Sequence, residues 1–405
     1  MKFVLIILIL ALLNSCALFK SKKEEIATPD STITVNKEAT QPEVPPTPPI
    51  IVEEKKIDIL LQNDLMNLWS KYFIENFNES RSLDIFIYTN RKSKSNQFGC
   101  TDNFFDITES SKFTTGVCRI SVPKRHSTGE LNINHDPKAS SNDFFKVSKN
   151  REINENYLFE YLKKSKRTPL VFVHGFNVKY EEAVFRAAQI AYDVKYQGPI
   201  VLFTWPAGSG EGFFDDKNLT KTYRENSLSA KNSISVFKKF LSEFITRKIN
   251  LNLIVHSMGH QVVIPALYEI AKDQSLQNTP DEKMINELIF NAPDFDAKNF
   301  IEISPLIKNI YKRLTLYCSE NDKAMLASET VNKNRRLGSC ISLKDIDSIN
   351  VSEIDNQTFG LNHGYYSSRD VLTDVFQVLI GIPADYRLFM RKSDGKSTEN
   401  YFLRP

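Results

Sequence analysis

The stretch Ile249-Asn-Leu-Asn-Leu-Ile-Val-His-Ser-Met-Gly-His260 decides how the rest of the chain is read. Its apolar run from Leu251 to Val255 predicts a buried strand. The run stops at His256-Ser-Met-Gly259, and the apolar, helix-like Gln261-Val-Val-Ile-Pro-Ala-Leu-Tyr268 begins at once. A strand that turns sharply into a helix with Ser at the corner is a nucleophile elbow. The turn lifts the hydroxyl clear of the sheet, and the helix N-terminus supplies positive potential and free backbone N–H groups. A Ser-x-Gly alone is a weak signal, so its weight comes from this strand-to-helix setting and from two other motifs. One feature works against it: a small residue usually stands two places before such a Ser, and here the place is taken by Val255, whose β-branch predicts a crowded turn.

Upstream, Pro169-Leu-Val-Phe-Val-His-Gly-Phe-Asn177 is again a short apolar strand, ending in His174-Gly175. Glycine there lets the backbone come close to a substrate. The following N–H, from Phe176 or alternatively Asn177, would join that of Met258 in an oxyanion hole. Downstream, Leu361-Asn-His363-Gly-Tyr-Tyr366 precedes a helical pattern over about 366–380. A Ser hydroxyl needs a base, and His363 is the candidate, in a loop after the last strand. His256 should point away from the site, His260 shares a helix face with Ser257 and shapes a wall or caps, and His174 builds the oxyanion turn. For the acid, Asp322 follows the strand 314–318 and Asp294 follows the strand before it; Asp322 is taken first and Asp294 as the alternative. Each is also suited to cap a helix, as is Asp296. Trp205, Phe213, Phe214 and Tyr365, with His174, Gly175 and Asn177, are candidate pocket residues, although Trp205-Pro206 equally suits plain packing.

The 405 residues carry a net charge of +3 from nearly balanced charges, which gives no sign of nucleic-acid binding. Met1-Lys2 followed by the apolar run Phe3–Leu13 is too short to span a membrane and reads as a signal peptide over 1–16. Leu13-Asn-Ser-Cys16 resembles a bacterial lipobox, which predicts cleavage before Cys16 and its lipidation; the competing reading is an ordinary secretory signal. The expected location is the bacterial cell envelope, on the outer membrane or cell surface. Export makes the remaining four cysteines candidates for pairing. The local pairing Cys100–Cys118 and Cys318–Cys340 is expected, against the alternative of buried free thiols, and no Cys-x-x-Cys spacing suggests zinc.

Residues 17–56 include Pro42-Glu-Val-Pro-Pro-Thr-Pro-Pro49 and predict a disordered tether. Ile57, Leu61, Leu65, Leu68 and Tyr72 recur at helical spacing, placing an N-terminal helix in 57–82. Strands are expected at 83–88 and 116–123, with 92–114 irregular and 124–150 loop-like. From Leu170 strands and helices alternate: helices over about 179–196 and 226–246, strands at 200–203, 251–255, 287–292, 313–318 and within 341–351. A long loop, 204–224, would rise beside the elbow. The alternation predicts a mostly parallel sheet with helices on both faces over 83–385, followed by a tail, 386–405. His174, Ser257, Asp294, Asp322 and His363 fall at or beyond carboxyl ends of strands, where such sheets bind ligands.

Taken together, Phe172-Val-His-Gly-Phe-Asn177, Phe203-Thr-Trp-Pro206, Val255-His-Ser-Met-Gly259, Asn291-Ala-Pro-Asp294 and His363 resemble the bacterial α/β-hydrolase family known as domain of unknown function 900. Asp84-Ile-Phe-Ile-Tyr-Thr-Asn-Arg91 and Ile120-Ser-Val-Pro123 resemble its opening strands. The resemblance implies the α/β-hydrolase fold and a Ser–Asp–His triad. The expected function is an envelope-anchored serine hydrolase acting on a small acyl ester or amide, with no metal or cofactor. An acyltransferase on the same residues, or a binding module that keeps the fold without the chemistry, are the alternatives.

Overall fold

The strands at the centre of this chain are short because each is buried on both faces. In the computed structural model, which describes residues 81–209, 216–276, 283–341, 343, 345–354, 361–394 and 400–404, β4 (Leu170–Val173) sends Val171 and Val173 into one core layer. Its Leu170 and Phe172 enter the other. The same alternation puts Leu253 and Val255 of β6 (Leu251–His256) on the first side and Ile254 on the second. Such doubly apolar runs are what a parallel sheet covered on both faces requires. Cys16, the tether 17–56, the expected helix over about 57–77, Phe213 and Phe214 lie outside the described residues.

The remaining strands are β1 (Ser82–Ser93), β2 (Phe105–Ser121), β3 (Lys146–Glu152), β5 (Ile200–Thr204), β7 (Ile285–Asn291), β8 (Tyr311–Cys318), β9 (Asp347–Asn350), β10 (Met390–Lys392) and β11 (Tyr401–Leu403). Among the described residues they form an 11-stranded sheet in the order β10-β11-β9-β8-β7-β6-β4-β5-β1-β2-β3. Pairing is parallel from β11 through to β1 and antiparallel at the two ends, β10–β11 and β1–β2–β3. Helices α1 (Glu155–Lys164), α3 (Asp216–Arg247), α4 (His260–Lys272) and α5 (Ala297–Ile307) supply one core layer. Helices α2 (Tyr180–Asp193) and α7 (Arg369–Leu379) supply the other. A further helix, α6 (Lys323–Asn332), buries only Met325 and Ser328. The expected α/β-hydrolase architecture is therefore present.

Three sequence expectations need correction. The span 92–114, read as irregular, contains the end of β1 and most of a long β2, and the loop-like 124–150 ends in β3. These segments lie at the sheet edge and expose most of their side chains, so they carry no apolar alternation to read. The loop over 204–224 is cut short by α3, which starts at Asp216. Finally, 386–405 is not a mere tail: it contributes β10 and β11, and Tyr401 and Phe402 pair with Ile349 and Asn350. Both cysteine pairs are formed, Cys100–Cys118 and Cys318–Cys340.

A buried ion pair fastens this C-terminal hairpin. Arg387 donates from Nη1 to Asp374 Oδ2 on α7 at 2.9 Å, with both side chains fully buried, and Tyr317 on β8 donates its hydroxyl to the same oxygen at 2.6 Å. Removing one partner of such a pair leaves an uncompensated buried charge. Arg387→Met is therefore expected to destabilise the fold by about 3–5 kcal/mol in urea unfolding; an unchanged midpoint would mean that the hairpin is not held this way.

Candidate active site

β6 ends at His256 and the chain turns through Ser257-Met-Gly259 into α4. Ser257 has φ of 51°, in the left-handed region, which costs a side-chain-bearing residue roughly 1–2 kcal/mol. Its surroundings hold it there. His260 donates Nδ1–H to the Ser257 carbonyl at 2.7 Å, and the Asp294 N–H reaches the same carbonyl at 3.3 Å. Two glycines allow the close packing: a Cβ at Gly175 would lie 2.7 Å from Ser257 Cβ, and one at Gly259 2.6 Å from the His174 carbonyl oxygen. Val255 is fully buried, its side chain in the core layer that α3 and α4 also supply.

His363 brings the other two residues to this hydroxyl. Its Nε2 is 2.8 Å from Ser257 Oγ and its Nδ1 is 2.7 Å from Asp322 Oδ2. A carboxylate only accepts, so Nδ1 carries the proton and Nε2 is left to accept the Ser257 hydroxyl. Asp322 serves both roles foreseen for it: Oδ2 faces the imidazole, while Oδ1 caps α6 by accepting from the N–H groups of Ala324 and Met325, each at 3.0 Å. The Lys323 N–H donates to the Leu361 carbonyl at 2.9 Å, tying the acid's helix to the loop that carries the base. Burial by itself would push the His363 imidazole down. The charge and hydrogen bond of Asp322, joined by the charge of Asp294, outweigh it and hold the group above 6.5.

Asp294, the alternative acid, makes no bond to His363. It accepts from the Tyr223 hydroxyl at 2.8 Å, Gln261 Nε2 at 3.1 Å and the Ser328 hydroxyl at 2.5 Å, and it pairs with Arg336 at 3.1 Å. The helix cap at that point is Asp296, which accepts from the Asn299 N–H at 2.7 Å.

At the turn after β4, the Phe176 N–H meets no acceptor among the described residues, whereas the Asn177 N–H donates to Asn226 Oδ1 at 3.1 Å and is spent. Asn177 is thereby set aside as an oxyanion donor. His174 lies beneath the turn instead of lining a pocket. It is buried, donates Nδ1–H to the Gly175 carbonyl at 3.0 Å and has Nε2 2.9 Å from the Thr204 hydroxyl. Burial, then the nearby Arg91 charge, push it down to about 3. Trp205 and Tyr365 are also core residues. Trp205 stacks on His174 with ring centroids 5.4 Å apart and donates to the His174 carbonyl at 3.0 Å. Tyr365 is fully buried in the α2–α7 layer. Aromatic residues beside a motif carry no mark that separates lining from packing: for Trp205 the packing alternative holds, and Tyr365 is a core residue where a pocket residue was expected. His260 caps the elbow as foreseen, and burial pushes it down to about 3.

Two residues escaped the sequence reading. Arg91 is buried and donates to the carbonyls of Ala207 and Val178, each at 2.8 Å, and to Thr204 Oγ1 at 3.0 Å, binding the segments around His174 together. Its signal was the Thr89-Asn-Arg91 ending of the opening strand. His256, expected to point away, instead lies with its ring centroid 5.0 Å from that of His363.

A family model for alpha/beta hydrolases of unknown function, DUF900, matches residues 146–382. The chain belongs to the DUF900 alpha/beta hydrolases. The matched span runs from the first residue of β3 to just past α7, so Ser257, Asp322 and His363 all fall inside the DUF900 region. No curated protein and no solved structure matches the chain.

The arrangement predicts how His363 titrates. In an NMR titration of histidine-labelled protein its pKa is expected above 6.5, and Asp322→Asn is expected to lower it, because the charge opposing the burial effect is gone. A His363 that titrates identically in both proteins would contradict the assigned pairing.

Proposed function

We propose that this chain is a serine hydrolase acting on a small acyl ester, in which Ser257 is the nucleophile, His363 the base and Asp322 the orienting acid. The observation that carries the reading is the continuous relay from Ser257 Oγ to His363 Nε2 at 2.8 Å and from His363 Nδ1 to Asp322 Oδ2 at 2.7 Å. Ser257 Oγ attacks the acyl carbonyl as its proton passes to Nε2, giving a tetrahedral oxyanion. The N–H groups of Phe176 and Met258 receive that oxyanion, each worth about 3 kcal/mol at the transition state. Collapse breaks the bond to the alkoxide leaving group, which takes the proton from Nε2 and departs as an alcohol. Water, deprotonated by the same Nε2, then cleaves the acyl-enzyme and restores the Ser257 hydroxyl. No step calls on a metal or organic cofactor.

Fluorophosphonate labelling and turnover of short acyl esters test the chemistry. The parent is expected to react. Ser257→Ala and His363→Ala are expected to lose both, and Asp322→Asn to lose roughly 10⁴-fold in kcat. A folded parent that neither labels nor turns over ester would overturn the reading and favour a binding module.

The signal-like residues 1–16 and the two disulfides support a protein exported to the bacterial envelope and held there by lipid on Cys16. Labelled fatty acid is expected to enter the parent and not Cys16→Ala; equal incorporation in both would refute the anchor.

A further inference from the structure

His256 stands immediately before the elbow Ser, and its ring joins a column of stacked groups that ends at His363. Arg186 on α2 lies over the Tyr366 ring at 5.7 Å; Tyr366 stacks on His256 with centroids 3.7 Å apart and planes 24° apart; His256 meets His363 at 5.0 Å and 40°. The column runs from a helix in the core layer to the base. His256 also lies close to the oxyanion turn, since a Cβ at Gly175 would come within 2.9 Å of its Nδ1. One ring therefore touches the elbow, the turn after β4 and the base loop.

Resting on the hydrolase reading above, we propose that His256 is a positioning residue: its ring fixes the orientation of the His363 imidazole and offers an aromatic face to the imidazolium formed when Ser257 gives up its proton. Two physical points support this. His363 follows Asn362, whose φ is 53°; Asp322 and Ser257 hold the ring at its two nitrogens, in its own plane, and the His256 ring meets it from the side. A cation near an aromatic face is stabilised by the ring quadrupole, and His256 supplies that face without competing charge: burial first, and then the charge of the protonated His363 and of Arg186, keep it neutral. The other groups facing His363 are Asp322 and Ser257, with Asp294 and its partner Arg336 further off. Around Tyr366 the charged groups are Arg186 and Glu182.

The test compares His256→Leu, His256→Phe and Tyr366→Leu with the parent, reading kcat and KM on a short acyl ester across pH and the rate of fluorophosphonate labelling. His256→Leu is expected to lose about 10- to 100-fold in kcat with little change in KM. Its acid limb is expected to move down by roughly half a pH unit as the imidazolium loses its aromatic neighbour. His256→Phe keeps the ring and is expected to stay within about threefold of the parent in kcat. It also deletes Nε2, a buried atom with no partner among the described residues, together with the ring's hydrogen bond to the His363 backbone, so its unfolding midpoint is read beside its activity. Tyr366→Leu, which leaves His256 unsupported, is expected to change kcat and acid limb in the same direction by less. Parental kcat and acid limb in His256→Leu would overturn the inference, as would equal losses in the Leu and Phe variants with no movement of the limb. If His256→Leu does not fold, Tyr366→Leu and His256→Phe decide: loss in the first with retention in the second supports it, and any other pair of results overturns it. An inactive parent would instead remove the hydrolase reading on which the inference rests.

Discussion

The left-handed backbone of Ser257 is the constraint on which the other features of the site depend. A residue with a side chain resists that conformation, so the chain must supply compensating contacts on every side. His260 and the Asp294 N–H hold its carbonyl, and Gly175 and Gly259 let the neighbouring strand end press against it. The parallel sheet makes this possible. β4 and β6 are adjacent, so the turns that follow them emerge side by side.

The acid side of the site is built with similar economy. Asp322 uses one oxygen to start a helix and the other to hold an imidazole. Behind it, the segment 335–340 laces two loops together: Leu337 N–H reaches the Phe295 carbonyl, Gly338 N–H the Pro293 carbonyl, and Ser319 N–H the Gly338 carbonyl. Cys340 closes this strap onto Cys318 at the end of β8, and Arg336 neutralises Asp294 within it. Asp294 thus acts on His363 through its field without becoming its hydrogen-bond partner.

The doubly buried strands, the elbow, the His-Gly turn, Ser257 and His363 were legible in the sequence, and Asp322 as the first of two candidate acids. Each depends on local pattern: an apolar run, a turn residue, an order along the chain. What was not legible depends on which neighbours the fold brings up. Trp205 and Tyr365 look the same in sequence whether they line a cavity or pack beneath one. Asp322 and Asp294 both follow a strand of the sheet, and only the contact of His363 Nδ1 with Asp322 Oδ2 separates them. β3 was missed because an exposed edge strand carries charge where buried strands carry Val, Ile and Leu, and the C-terminal hairpin because its strands are three residues each, too short for a period to show.

That same charge has a consequence for how the protein behaves in a crowd. An open sheet of this width has two unpaired borders, each a template onto which a strand from another molecule can add. One border here is β3, Lys-Val-Ser-Lys-Asn-Arg-Glu, with four ionised side chains in seven residues; the other is β10, three residues long and bearing Arg391 and Lys392. Both ends of the sheet discourage edge-to-edge aggregation. When two copies meet, these mostly cationic borders repel one another.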